Sequence, residues 1–534
     1  MTDAWNPLHQ PGRDETHWST VNVGEALPGV ATPLGWTIWS DIGDRMCRDL
    51  SYAIGVFDAH ERKQPPPGPD RIITSFFGRI AMQSEWLATV GDRMPGTTGE
   101  VAIAGMLGEA PPSMTFAPTM RRYPVIAHRL PYAALTMPGK VRRLAPQIDA
   151  WWRSEIPKLA EADLSAAVMI FADATRRFSE TMTAHGIALF AAITPLVNAL
   201  TALVTRTGIG DVGVLSGTGG AEMAMIDDIW RASRGELTLE AVVANHGFHG
   251  PLEGEISSRV WREDPSPLAA VIERYAATDE SASPLARERA ARERLPVMQS
   301  ELLTALPAAA RPGVRLLLNH AARTIPLRGV GKASFLQALD VARAAARRVG
   351  EHLAMSGVLA DAGDAFYLTV DEIVEGVAFD QGVARDLVGR RRERRTEYQR
   401  LELPSWWRGT PRPTEIKATD DSGDDVLLTG IAAGSGVVEG PVRVVHDPAV
   451  IEVEPGEILV APTTDPSWAS IMFVSSALIV DIGSVLSHAA VVARELGLPC
   501  VVNTRNGTRV LRDGDLVRVD GAAGTVQLIK RAEK

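Results

Sequence analysis

The segment Asp481-Ile-Gly-Ser-Val-Leu-Ser-His-Ala-Ala-Val-Val-Ala-Arg-Glu-Leu-Gly-Leu-Pro-Cys500 decides how the C-terminal part of this 534-residue chain is read. An apolar run, Ala477 to Val480, turns through Gly483 and Ser484, and a helical pattern opens at His488 just after Ser487. Gly497 and Pro499 then stop that helix. A side chain at its start lies at the positive end of the helix, beside N–H groups with no internal partner, a place that favours an anionic phosphate. An imidazole nitrogen can take a phosphoryl group and pass it on. From the residues alone, a covalent carrier and a helix-capping histidine in an ordinary βα unit both remain open.

Around this segment the texture is β-rich. Short strands are expected at Leu427 to Ala432, Gly440 to Val445, Glu457 to Ala461, Ala477 to Val480, Cys500 to Val502, Leu516 to Val519 and Thr525 to Ile529. Asp520-Gly521 and Gly524 mark a terminal hairpin. Upstream, Trp406 to Asp425 is rich in Gly, Pro and Asp and reads as a linker. Before it, Arg142 to Leu159, Leu164 to Leu203, Ser334 to Ser356 and Val383 to Leu401 carry apolar residues at helical spacing with charged opposite faces. The expected architecture is multidomain: a large, mainly α-helical domain over residues 1–404, a flexible linker over 405–426 and a small α/β domain over 427–534.

Composition excludes several classes. The length calls for more than one core, since single cores rarely exceed ~250–300 residues. A net charge of −10 argues against a nucleic-acid surface, and no basic block suggests a membrane contact. The run Arg390 to Arg395 is broken by Glu393 and reads as a solvated helix face. Two cysteines, Cys47 and Cys500, give no disulfide framework and fit a reducing cytoplasm. The polar N-terminus lacks a signal core, and Ile187 to Leu203, interrupted by Thr, Pro and Asn, reads as a buried helix rather than a membrane span.

The string Ser487-His-Ala-Ala-Val-Val-Ala-Arg-Glu-Leu-Gly-Leu-Pro-Cys-Val-Val502 resembles the swivelling phosphohistidine domain of the phosphoenolpyruvate-utilising enzymes. That resemblance makes His488 the phosphorylated residue and Gly483, Ser484 and Ser487 its phosphate-proximal neighbours. The family carries two glycines before the histidine; here Gly483-Ser484 stands in their place.

Three further segments are similar to the acceptor domain of the rifampin phosphotransferases. They are Asn22 to Trp36, His246 to Trp261, and Arg328-Gly-Val-Gly-Lys332 followed by Asp364 to Glu372. By that resemblance Arg328 and Lys332 handle the phosphoryl group, and at i, i+4 they project from one side of a helix, where two cations can offset charge on transferring oxygens. The alternative for this pair is a solvated basic edge. His246, His249, Glu253 and Glu255 are candidates for base and orienter at an acceptor hydroxyl, His249 and Glu255 foremost, with His246, Arg259 and Trp261 lining the acceptor. A metal cluster and a structural histidine pair packed with Arg259 and Trp261 stay open for the same segment; the reading adopted is no metal.

Two glycine-rich strings are set aside. Gly208 to Gly213 fits the dinucleotide fingerprint without its βαβ context. Gly329 to Ser334 imitates a phosphate loop, but Pro326 stands where its first glycine belongs and Ala333 where its hydroxyl belongs.

The resemblance covers acceptor and carrier domains and leaves an ATP-binding domain unaccounted for, the division of labour seen in phenylphosphate synthase. It implies a histidine-relayed phosphotransferase acting on a hydroxyl of a small organic acceptor. A separate ATP-binding, ATP-grasp-like subunit is expected to load His488 and to hold ATP and Mg2+, with no cofactor on this chain. Phosphorylation-coupled dehydration and a non-catalytic phosphocarrier are the alternatives.

Overall fold

The computed structural model describes residues 6–532, except 22, 108–109, 209–219, 277–282, 376–380, 405, 416–426, 447–452, 465–467 and 484–486. Its contacts divide the chain into two compact units, each built from separated stretches. Unit 1 takes Met1–Ala192, Gly254–Ser258 and Val330–Ile416; unit 2 takes Ile193–Glu253, Arg259–Gly329 and Lys417–Lys534. This differs from a division at 404 and 427. Segments of the helical region join the histidine domain, because their apolar faces share one core with it. The expected linker also begins later: Trp406–Arg408 and Thr414–Glu415 are strands of unit 1, and its remainder, 416–426, lies outside the described residues.

Unit 1 is built on long helices. Pro33–Ala53 starts where Thr32 accepts a hydrogen bond from Gly35 N–H and Pro33 presets the first turn. It buries Leu34, Trp36, Ile38, Trp39 and Ile42, residues at helical spacing. It packs on Leu164–Ala188, which in turn packs on Tyr123–Leu159. The helical stretch Leu164–Thr207 is apolar and long enough to cross a membrane by length and composition, yet half of its most apolar window is buried within the protein.

A small antiparallel sheet, not expected from the sequence, completes this unit. β1 (His17–Ser19), β2 (Ile73–Phe76), β3 (Arg79–Gln83) and β5 (Trp406–Arg408) lie in the order β2-β3-β1-β5, while β4 (Leu401–Glu402) pairs with β6 (Thr414–Glu415). One face is an aromatic cluster. Phe76 sits edge-on to Trp18 at 5.3 Å and to Trp407 at 5.2 Å between centroids, geometry favoured by the ring quadrupoles.

Unit 2 contains an eight-stranded sheet of β7 (Leu427–Thr429), β8 (Ile431–Gly434), β9 (Val437–Val444), β10 (Ile458–Ala461), β11 (Ala477–Val480), β12 (Cys500–Val502), β13 (Leu516–Asp520) and β14 (Thr525–Lys530). The order is β7-β14-β13-β9-β10-β11-β12-β8. The four strands β9 to β12 run parallel, and the rest are antiparallel. Helices Ala469–Val474 and His488–Leu496 form the crossovers after β10 and β11. Three of the parallel strands, β10, β11 and β12, are continuous apolar runs, as expected for strands covered on both faces. One covering core joins Ile226, Trp230, Trp261 and Tyr275 of the helical segments to Leu459, Leu478, Ala490 and Val502.

The sheet curls tightly between β8 and the β13–β14 hairpin. A Cβ at Gly521 would stand 1.9 Å from the Gly434 carbonyl oxygen and 2.7 Å from Cys500 N, so only glycine fits. Gly521→Ala is therefore expected to destabilise unit 2 by about 2 kcal/mol or more, read as a lower denaturation midpoint. A wild-type midpoint would refute the packing.

Candidate functional site

His488 is the first residue of the helix His488–Leu496. Ser487, extended at φ −63° and ψ 164°, caps it by accepting from Ala490 N–H at 3.4 Å. Gly497 closes the helix in the left-handed conformation at φ 67°. The N–H groups of His488 and Ala489 thus belong to the turn whose donors have no carbonyl within the helix. Both strands leading here, β10 and β11, end on the same side, and ligands of parallel sheets bind beyond the carboxyl ends of the strands. The loop after β10 brings Thr464 Oγ1 to 3.4 Å from His488 Nδ1. His488 and Ser487 are buried, at 4% and 5% exposure. A Cβ at Gly483 would stand 2.9 Å from Val502 Cβ and 3.2 Å from Ser487 Oγ, so the turn before the histidine needs a residue without a side chain. Ser484 lies outside the described residues.

Asp481, the residue after β11, ties the end of that strand to the segment after β12. Its carboxylate accepts from Thr504 Oγ1 at 2.9 Å, from Gly507 N–H at 2.5 Å and from Thr508 N–H at 3.2 Å, and from the Thr508 hydroxyl. Burial pushes the carboxyl above the usual range, and the donors of Thr508, Thr504 and Gly507 pull it back. Sequence reading missed Asp481 and Thr464; an acid and a hydroxyl just past apolar strands were the available signal.

The helical residues of unit 2 form bonded pairs. His246 Nε2 lies 3.0 Å from Asp228 Oδ2. His249 Nδ1 lies 2.8 Å from Glu253 Oε2, and the His249 ring stands 5.9 Å from that of Trp261, which is buried in the core. Arg259 is exposed. Arg328 donates to Glu222 Oε1 at 2.9 Å, and a Cβ at Gly329 would fall 2.4 Å from Glu222 Oε2. Arg328 and Lys332 occupy successive turns of one helix, Leu327–Met355, and helical backbone runs through the string that imitates a phosphate loop.

Glu255 belongs to unit 1, where it accepts from Thr32 Oγ1 at 2.6 Å, Thr32 N–H at 3.1 Å and Ser257 Oγ at 2.9 Å. Lys332 is also counted in unit 1. Among the described residues no group of three or more His, Cys, Asp or Glu side chains is placed to hold a metal ion. Most of the glycine-rich string from Gly208 lies outside the described residues.

Fold and site together define a helical unit joined to a parallel-stranded α/β domain that presents a histidine at a helix start. Residues 453–524 match the family described as the mobile domain of PEP-utilising enzymes, and residues 233–329 match the fourth domain of rifampicin phosphotransferase. Two stretches of the chain are thus similar to modules of the phosphoenolpyruvate-utilising enzymes and the rifampicin phosphotransferases. A Streptomyces rifampicin phosphotransferase is 32% identical over 296 residues, 54% of this chain and 34% of that protein. An uncharacterized phosphotransferase of Bacillus subtilis, YvkC, is 35% identical over 195 residues, 35% of this chain and 23% of its own length. The prodigiosin synthesizing transferase PigC of Serratia marcescens is 30% identical over 303 residues, 55% and 34% of the two chains. The chain spans about a quarter to a third of these relatives.

Two outcomes follow from this geometry. Asp481→Ala strands buried donors and is expected to cost about 3 kcal/mol or more, measured by chemical denaturation; a loss within error would show that the turn stands without it. Burial pushes the Cys500 thiol up to about 12 and raises that of Cys47 as well. At pH 8 both stay protonated, so a thiol-specific alkylating reagent should label them only after unfolding; rapid native labelling would contradict their burial.

Proposed function

We propose that this chain supplies the carrier and acceptor parts of a histidine-relayed phosphotransferase. The observation that carries the reading is His488 at a helix start beyond β10 and β11, within a stretch that matches the mobile domain. Thr464 approaches Nδ1, so Nε2 is the atom assigned to the phosphoryl group. In loading, the Nε2 lone pair bonds to phosphorus and the donor's P–O bond breaks. In transfer, an oxygen of the acceptor's hydroxyl bonds to phosphorus, the P–N bond breaks and the hydroxyl proton passes to a base. Neutral His488 is restored.

His249, oriented by Glu253, is the proposed base, because the carboxylate accepts from Nδ1 and leaves Nε2 as the basic nitrogen. Arg328 is the proposed electrostatic clamp. One of its donors is given to Glu222, and a guanidinium has five. Lys332, one turn along the same helix, is its proposed companion. His246 and Arg259 are the proposed acceptor-side residues; Trp261, buried in the core, is given a packing part beneath His249. Glu255 has its oxygens engaged by Thr32 and Ser257, which favours a structural part for it. The acceptor is a small organic molecule bearing a hydroxyl, and the donor is a separate ATP-binding subunit that carries ATP and Mg2+, in the cytoplasm.

The test is incubation of the full chain with labelled ATP and an ATP-binding protein of the same family. An acid-labile, alkali-stable phosphate should appear on His488 and vanish in His488→Ala. Arg328→Ala should retain loading but slow transfer about 100-fold, the loss typical of a donor to developing charge. Label on a hydroxyl residue, or label that persists in His488→Ala, would end the proposal. Label acquired from ATP by the purified chain alone would remove the separate subunit.

A further inference from the structure

Unit 1 holds a second cluster that the phosphoryl relay does not use. His17, on the central strand β1, is almost fully buried, at 4% side-chain exposure. Because Trp18 points into the aromatic cluster, strand alternation sends His17 to the opposite face. There its Nδ1 lies 2.7 Å from Glu85 Oε1, and its Nε2 lies 2.6 Å from Ser113 Oγ. Glu85, in the first turn of the helix Ser84–Arg93, also accepts from the His17 backbone N–H at 2.9 Å. A carboxylate can only accept, so the imidazole hydrogen is assigned to Nδ1 and Nε2 becomes the acceptor of the Ser113 hydroxyl.

The three side chains line one cavity of about 580 Å3. Ser113 is on its exposed loop, whose position is set by Asp92: the carboxylate accepts from Gly99 N–H at 2.7 Å and from Ala117 N–H at 2.6 Å. Arg408, paired with His17 across β1 and β5, lines the same cavity. The other arginine there, Arg93, is engaged by Glu61 at 2.8 Å. Arg408 makes no side-chain ion pair among the described residues, and its cation is therefore available to an anionic guest.

We propose that this cavity is an ester-hydrolysing site, with Ser113 as nucleophile, His17 as general base and then acid, and Glu85 as the residue that positions His17. The order hydroxyl, imidazole, carboxylate at hydrogen-bond distances is what activates a serine, and it is recognised by geometry rather than by place in the chain. The substrate class is a small carboxylic ester bearing an anionic group for Arg408. Ser113 Oγ bonds to the acyl carbon as its proton passes to His17 Nε2. The ester C–O bond then breaks, and the leaving oxygen takes that proton. Water adds to the acyl carbon, gives a proton to His17 and breaks the bond to Ser113, which regains its hydrogen. The acid and the alcohol leave.

The experiment is covalent labelling of the full chain with a fluorophosphonate probe, mapped by mass spectrometry, together with hydrolysis of p-nitrophenyl acetate. Ser113 should carry the label, and Ser113→Ala, on an exposed loop, should lose both label and hydrolysis. Glu85→Gln should slow labelling about 100-fold or more, as expected when the imidazole loses its orienting carboxylate, with an unchanged thermal midpoint. Phosphorylation of His488 should be untouched in Ser113→Ala, which separates this site from the relay. Native protein that leaves Ser113 unlabelled, or a Glu85→Gln variant that labels at the wild-type rate, would overturn the proposal without any need for a destabilised variant.

Discussion

The carboxylate of Asp481 is the constraint on which the histidine site rests. It terminates β11 and gathers Thr504, Gly507 and Thr508 from the loop after β12. Two loops that leave neighbouring parallel strands are thereby fixed at one point, and the turn that launches the His488 helix starts from that point. A buried carboxylate without those donors would cost several kcal/mol in desolvation. With them it ties the end of β11 to the segment after β12, a short way before Gly483 in the chain. The apolar strands supply the driving force for burial.

Unit 1 solves a comparable problem with buried polar groups of its own. Thr32 caps the helix Pro33–Ala53 while its hydroxyl and N–H are given to Glu255. Arg343, fully buried, donates to Asp340 and to the Glu255 carbonyl, and Trp152 donates to the other oxygen of Asp340. The short stretch Gly254–Ser258 is thus bound into unit 1 by its hydrogen bonds, although the residues on either side of it belong to unit 2. Two residues apart in sequence, Glu253 and Glu255 serve different bodies.

That separation marks what a sequence can and cannot disclose. The central strands of the histidine domain, β10, β11 and β12, were legible as apolar runs beside Gly, Pro or Asp, whereas the run from Leu427 to Ala432 divides at Gly430 into two strands; the helix was legible because Gly497 and Pro499 end it. The long helices of unit 1 were legible from their spacing. The sheet containing β1 was not: it brings strands of three to five residues together from as far apart as His17 and Arg408, and so few residues carry no clear period. The grouping of His246, His249 and Glu255 read as one cluster because they are close along the chain; the hydrogen bonds give each its own partner, Asp228 for His246, Glu253 for His249 and Thr32 for Glu255. His17, Glu85 and Ser113 gave no local signal at all, since a hydrogen-bonded relay has no preferred spacing.

The shared core of unit 2 has a consequence for how the chain is made. Its helical half, Met223 to Tyr275, leaves the ribosome long before its other half, which ends at Val502. Those two limits are 227 residues apart (502 − 275), so at about 5–20 residues per second the apolar faces of Ile226, Trp230 and Trp261 wait roughly 10–45 s for their partners. Vectorial synthesis therefore exposes a sticky intermediate whose lifetime is set by translation speed rather than by folding.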